Sequence, residues 1–161
     1  ITVEENTGKD RLSIAVEDNG CGMTEEQVKS VIDPFYTTRT TRKVGLGVPL
    51  FKMEAEMTGG SFRIDSEKGK GTKLLAEFVP SHVDMIPLGN ITDTVFLLIT
   101  CNPSLDFVYR RVKDEAEFVL DTRELREILG EDAPLNSPEV TQWLKGYLEE
   151  QTQIVEGGNS I

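Results

Sequence analysis

The segment that most restricts this chain is LSIAVEDNGCGM, residues 12–23, where an alternating apolar run ends in a carboxylate, an amide and two glycines. Leu12, Ile14 and Val16 fall on one side of a strand and are expected to face a core. Asn19-Gly20 is the dipeptide of a two-residue hairpin, yet the chain does not turn back as a strand. Thr24 with Gln27 three residues on makes a capping box, and Glu25 and Glu26 suit the positive end of a helix. A calcium loop fails too. Setting Gly20 or Gly22 at its sixth position puts Ala15 or Glu17 first, and in the latter register Cys21 fifth.

What remains is a strand that passes into a helix through a loop kept bare for a ligand. Gly20 and Gly22 have no β-carbon to hold a flat ring off the backbone. Asp18, at the strand end, would accept a hydrogen bond from an exocyclic amine such as that of adenine. Guanine carries an oxygen at the same place, so one acid would both anchor and select.

Upstream, ITV and RLSIAVED read as paired strands joined by the turn residues NTGKD. Downstream, TEEQVKSVI is a helix closed by Pro34. From Asp33 to about Val48 the sequence DPFYTTRTTRKVGLGV follows neither the strand nor the helix period, and is expected to be a functional lid. Pro49 suits the first turn of a helix in which Leu50, Met53 and Met57 recur at helical spacing before Gly59-Gly60. SFRIDSE and TKLLAEFV are strands joined by the turn KGKG.

Beyond Pro80 the pattern changes, which divides the chain into domains 1–80 and 81–161. The second holds a helix from about Ile91 to Cys101, a hairpin of DFVYRRV and AEFVLD around Asp114-Glu115, and a short helix after Thr122. A last helix starts at Ser137-Pro138 and sets Val140, Trp143, Leu144, Tyr147 and Leu148 on a core face. The tail after about Thr152 is expected to fray.

In RKVGLGV a glycine pair runs into a helix, where backbone N–H groups and the helix dipole favour an anion such as phosphate. Arg39, Arg42 and Lys43 make this stretch basic on an acidic protein; the alternative is a solvated run of charge on a loop. Neither a Walker loop nor a Rossmann fingerprint is present.

Charge narrows the partners. Residues 1–80 carry 11 basic against 13 acidic side chains and residues 81–161 carry 6 against 15, for a net charge of -11. Such a surface repels a phosphate backbone, so nucleic acid is not an expected partner. TVFLLIT, at 94–100, is too short to cross a bilayer, so no membrane is expected. Cys21 and Cys101 lack metal-ligand spacing and read as free thiols of a reducing cytoplasm. Because the first residue is Ile1 rather than Met, an upstream segment is expected.

In this order and spacing, DNGCGM, PF, GLGV and GKGT resemble the GHKL ATP-binding family of gyrase-type topoisomerases, heat-shock chaperones, histidine kinases and mismatch-repair ATPases. The resemblance covers residues 1 to about 80 and is nearest the histidine-kinase branch; the whole chain is similar to small stand-alone bacterial ATP-binding proteins related to it. It implies an α+β fold, a two-layer α/β sandwich of the Bergerat type with a mixed sheet and helices on one face, plus a small α+β C-terminal appendage. It also implies ATP as ligand. Asp18 would take the adenine with Gly20 and Gly22 as the paired glycines, Met23 would lie along the base, and Phe35 would be the lid aromatic. Gly45, Leu46 and Gly47, leading into Val48, would meet the phosphates beside Arg42 and Lys43, and Thr72 would reach the adenine side through water. The family's N-box helix, whose asparagine holds magnesium, has no counterpart before Ile1. No metal ligand is therefore assigned in this chain, and Mg2+ is expected only where an upstream N-box segment is present.

Three functions fit this reading. The first is a regulatory ATP-binding protein whose nucleotide orders the lid for an unidentified protein partner, with a homodimer compatible. The second is a protein kinase or slow ATPase acting with a partner; His82, the one histidine, reads as a linker or surface residue rather than a phosphoacceptor. The third is an interaction module with a degenerate nucleotide site.

Overall fold

The computed structural model describes residues 1–33, 46–130 and 134–157. They form six strands and five α-helices, an α+β protein with both parallel and antiparallel strand pairing. Two compact units divide the chain, one of Glu5–Ile86 and one of Pro87–Ile161 together with Ile1–Glu4. Strand β1 (Thr2–Asn6) thus gives its first residues to the second unit, a placement that the sequence division at residue 80 does not contain.

In the unit Glu5–Ile86, β2 (Arg11–Asp18), β3 (Ser61–Glu67) and β4 (Gly71–Phe78) pair antiparallel in the order β3-β4-β2. A short 3-10 turn, Thr7–Lys9, precedes β2; the Asn6 side chain caps it and Asp10 closes it in the left-handed region. Helix α1 (Glu25–Val31) opens with the expected capping box. The Thr24 hydroxyl accepts from Gln27 N–H, and the Gln27 side chain accepts from Thr24 N–H. Helix α2 (Gly47–Met57) begins two residues before Pro49 and packs on β3 and β4, where the Phe51 and Phe78 rings lie 5.5 Å apart. Its buried residues are Pro49 and Ala55. Leu50, Met53 and Met57, although at helical spacing, are nearly half exposed, so they are not the stripe that α2 buries. Leu12 is buried as expected, but Val16 is 41% exposed. The reason is the cavity described below.

In the second unit, Ile1 takes the parallel pattern against β5 (Val108–Lys113): its nitrogen donates to Val108 O at 2.7 Å and its carbonyl accepts from Arg110 N–H at 2.9 Å. Strand β6 (Ala116–Asp121) returns antiparallel to β5, with Asp114 in the left-handed region at the turn. Helices α3 (Ile91–Cys101), α4 (Thr122–Leu129) and α5 (Pro138–Val155) complete it, and α5 packs on β5, β6 and α3. The core joins Val3, Ile99, Tyr109, Phe118, Leu144 and Leu148. Trp143 is an exception to the expected core face of α5. It is 48% exposed and stacks on Tyr147 of its own helix, at 5.0 Å and 10° between the planes. Nor does α5 fray at Thr152, because Val155, 4% exposed, anchors its last turn.

Two measurements test these local devices. Thr24→Ala removes the cap of α1 and should cost about 1 kcal/mol, read as a lower urea midpoint. At the start of α4, hydrogen bonding and charge from Arg123 hold the Asp121 carboxyl below the ordinary carboxylate range. A lowered native pKa stabilises the fold fully above the ordinary value, and this contribution is lost as the pH falls through the lowered one. Asp121→Asn keeps a capping oxygen but cannot ionise. Urea midpoints followed from neutral pH into the acid range should therefore fall less steeply in the variant than in the parent.

Candidate functional site

The antiparallel register builds the site. Val16 lies opposite Leu74, and Leu74 opposite Ile64; two residues further along, Asp18 lies opposite Thr72, and Thr72 opposite Ser66. Side chains two apart on a strand share a face. One face of the sheet therefore carries an apolar row, Val16-Leu74-Ile64, followed at the strand ends by a polar row, Asp18-Thr72-Ser66. The apolar row together with Asp18 and Thr72 floors a cavity of about 470 Å³. Met23 lines it from the loop, and Gly47, Val48 and Phe51 line it from the beginning of α2. This volume lies in the range of small-molecule sites, and an apolar body with a few polar groups at one end is their usual chemistry.

The loop from Asn19 to Met23 is fastened to the β3–β4 turn. Gly69 N–H donates to Cys21 O at 2.7 Å, and Met23 N–H donates to Ser66 Oγ at 2.8 Å. Gly22 adopts φ 61°, and a β-carbon there would sit 2.0 Å from Glu67 O. Gly71 adopts φ 109°, and a β-carbon there would sit 1.9 Å from Asp18 O. These two glycines thus clear space for the protein's own backbone, whereas the sequence reading keeps Gly22 bare for a ring. Gly20 acts differently, since its N–H donates to Asp18 Oδ1 at 2.8 Å and orients the carboxylate.

Helix α2 points its first turn at the cavity through Gly47 and Val48. Its N-cap is Leu46, which has no side chain able to satisfy the first N–H groups. A smaller, polar cleft of about 360 Å³ shares Asp18 and Thr72 with the cavity and is lined further by Ser66, Glu17, Lys70 and Lys73. Lys73 pairs with Glu17 at 3.4 Å and Lys70 with Glu67 at 2.8 Å.

Of the residues singled out from the sequence, Asp18, Met23, Gly47, Val48 and Thr72 come together around one cavity. Leu46 caps the adjoining helix, and Gly20 and Gly22 shape the loop. Phe35, Arg42, Lys43 and Gly45, with most of the expected lid, lie outside the described residues. Sequence reasoning does not pick out Phe51, Ile64 and Leu74, and it places Val16 in the core. The missing signal is register: once Asp18 is set opposite Thr72, the row two residues back follows from strand geometry alone. Among the described residues, no three His, Cys, Asp or Glu side chains converge to hold a metal ion.

Comparison with known proteins agrees with this geometry. The family model of histidine kinase-, DNA gyrase B- and HSP90-like ATPases matches residues 1–82, and the chain belongs to that family. It is 42% identical over 80 residues to the sensor protein SrrB of Staphylococcus aureus, a match covering 47% of this chain and 13% of that protein. It is 41% identical over 64 residues to sporulation kinase E of Bacillus subtilis, covering 40% of this chain and 8% of that protein. The chain therefore spans only a small part of the length of these relatives. It carries a histidine-kinase-like ATPase domain, for which ATP is the implied ligand. Among the described residues no helix is long and apolar enough to cross a membrane.

The fastening of loop to turn can be tested at Gly71. Gly71→Ala should cost about 3 kcal/mol of stability in urea, in line with forcing atoms into packed space. It should also shift the amide resonances of residues 18–23, which lie across the contact from the substitution.

Proposed function

We propose that the cavity takes the adenine of ATP and that the chain is a regulatory nucleotide-binding protein of the histidine-kinase-like branch. The observation that carries this reading is the polar row set at the end of the apolar one. A purine is a flat apolar body with a polar edge, and the cavity offers Val16, Leu74 and Ile64 beneath such a body and Asp18 and Thr72 at its edge. With Asp18 Oδ1 engaged by Gly20 N–H, the other carboxylate oxygen accepts from the exocyclic amine. Met23 and Phe51 lie along the base. The phosphates run toward the start of α2, whose first N–H groups and dipole favour anions. Gly45 and the basic residues Arg42 and Lys43 precede that helix in sequence and complete the phosphate side.

The regulatory part of the proposal rests on sequence. The sequence of 33–48 follows neither the strand nor the helix period and is basic within an acidic chain, the composition expected of a lid that a triphosphate orders and a protein partner reads. Phe35, beside Tyr36, is the aromatic assigned to it by the family resemblance. A second reading, a protein kinase acting with a partner, draws on the relatives: one is named a kinase and the other a sensor protein. Incubation with ATP labelled at its terminal phosphate separates the two, since the kinase reading requires label on a protein and the regulatory reading requires none.

Asp18→Asn tests the site itself. Replacing the charged acceptor of the proposed amine contact should weaken ATP binding by roughly ten- to a hundredfold, about 1.5–3 kcal/mol, in calorimetry. The fold should persist, because Asn keeps an oxygen for Gly20 N–H. Equal affinity of the parent protein for ATP and GTP would overturn the adenine reading.

A further inference from the structure

We propose that Ser66 sets the ligand selectivity of the cavity by fixing the direction in which Thr72 points its hydroxyl proton. This inference rests on the reading of the cavity as an adenine site. A hydroxyl has one proton to donate and two lone pairs to accept with. Ser66 Oγ makes three contacts, and one assignment of protons makes hydrogen bonds of all three. Met23 N–H, at 2.8 Å, can only donate and takes one lone pair. Gly71 O, at 3.0 Å, can only accept and takes the proton. The third contact, to Thr72 Oγ1 at 2.9 Å, must then be donated by Thr72. Ser66 is saturated, and the single proton of Thr72 is turned away from the cavity.

The consequence is a cavity edge of uniform polarity. Thr72 presents lone pairs, and Asp18 is an acceptor whose Oδ1 already holds Gly20 N–H. A ligand edge that brings protons, such as a 6-amino group, meets acceptors either directly or through a water that donates to them. A 6-oxygen in the same place meets lone pairs only. Without Ser66 the Thr72 hydroxyl is free to rotate and donate to that oxygen. Ser66 touches no ligand in this scheme. It is a positioning residue that acts through Thr72, and it also fastens the loop that brings Met23 to the cavity.

The test compares ATP with the triphosphate of 6-methoxypurine riboside, which exchanges the donating amine for an accepting oxygen and leaves N1 unprotonated. Calorimetry on the whole chain gives the preference for ATP. In Ser66→Ala this preference should fall by roughly tenfold, the worth of one hydrogen bond. In the double variant Ser66→Ala, Thr72→Val it should return toward the parent value, because no hydroxyl remains to donate. If Ser66→Ala weakens both ligands equally, Ser66 merely props the loop and the inference is overturned. Failure of the parent to bind ATP would instead overturn the adenine reading, and this inference with it. Should Ser66→Ala not fold, neutron diffraction on deuterated parent crystals decides. A deuteron between Thr72 Oγ1 and Ser66 Oγ supports the inference, and one directed into the cavity overturns it.

Discussion

Backbone pressed against backbone, between residues 18–22 and residues 67–71, is the contact on which the rest of the site depends. Two glycines in the left-handed region make it, each clearing a carbonyl of the other segment: Gly22 meets Glu67 O and Gly71 meets Asp18 O. Only glycine tolerates both the dihedral and the approach. The contact fixes the ends of β2, β3 and β4 relative to one another and so fixes the polar row that those ends carry. It also brings Met23 N–H to Ser66 and Cys21 O to Gly69 N–H, so that the loop leaves the sheet at a set angle and delivers Met23 to the cavity. Two sequence motifs far apart in the chain are therefore two sides of one packing contact.

That contact separates the parts of the molecule that are legible in the sequence from those that are not. Helix α1 is legible because its start is signalled within four residues by Thr24 and Gln27, which close on each other. Strands β3 and β6 and helix α3 are legible from period and turn chemistry, which are equally local. Asp18 and Thr72 stand out in sequence as candidates, but only the register places them side by side. What Gly22 does is hidden for the same reason. A bare backbone is visible in sequence, whereas the object that approaches it is a non-local fact, and here the object is Glu67 O rather than a ligand.

The second unit makes the point with side chains. Trp143 and Tyr147 share a helical face with Leu144 and Leu148, and periodicity treats all four alike. In the structure the leucines are buried, while Trp143 spends one ring face on Tyr147, which in turn meets Phe118 edge-on at 5.7 Å. Period identifies which residues share a face. It does not tell whether a large ring is covered by the next element or by its own neighbour one turn along. Tyr109 shows the opposite limit: it is fully buried, and desolvation pushes its phenol above the ordinary pKa.

Charge poses the remaining physical question, because a chain of net charge -11 is proposed to hold a triphosphate. The distribution resolves much of the conflict. The excess of acid lies in residues 81–161, with 15 acidic against 6 basic side chains, whereas residues 1–80 are nearly balanced at 13 against 11. Exposed charges more than about 8 Å from an anion are largely screened at physiological ionic strength, so the groups nearest the phosphates outweigh the total. In the proposed binding mode those groups are the first N–H groups of α2, with Arg42 and Lys43 close by in sequence. The acidic side chains near the cavity are partly neutralised as well, with Glu17 paired to Lys73 and Glu67 to Lys70. In the proposed binding mode Asp18 belongs to the opposite end of the ligand, where a carboxylate would face an amine and its negative charge would strengthen the hydrogen bond. An acidic protein can therefore favour a nucleotide, provided that the base meets the acid and the phosphates meet the helix.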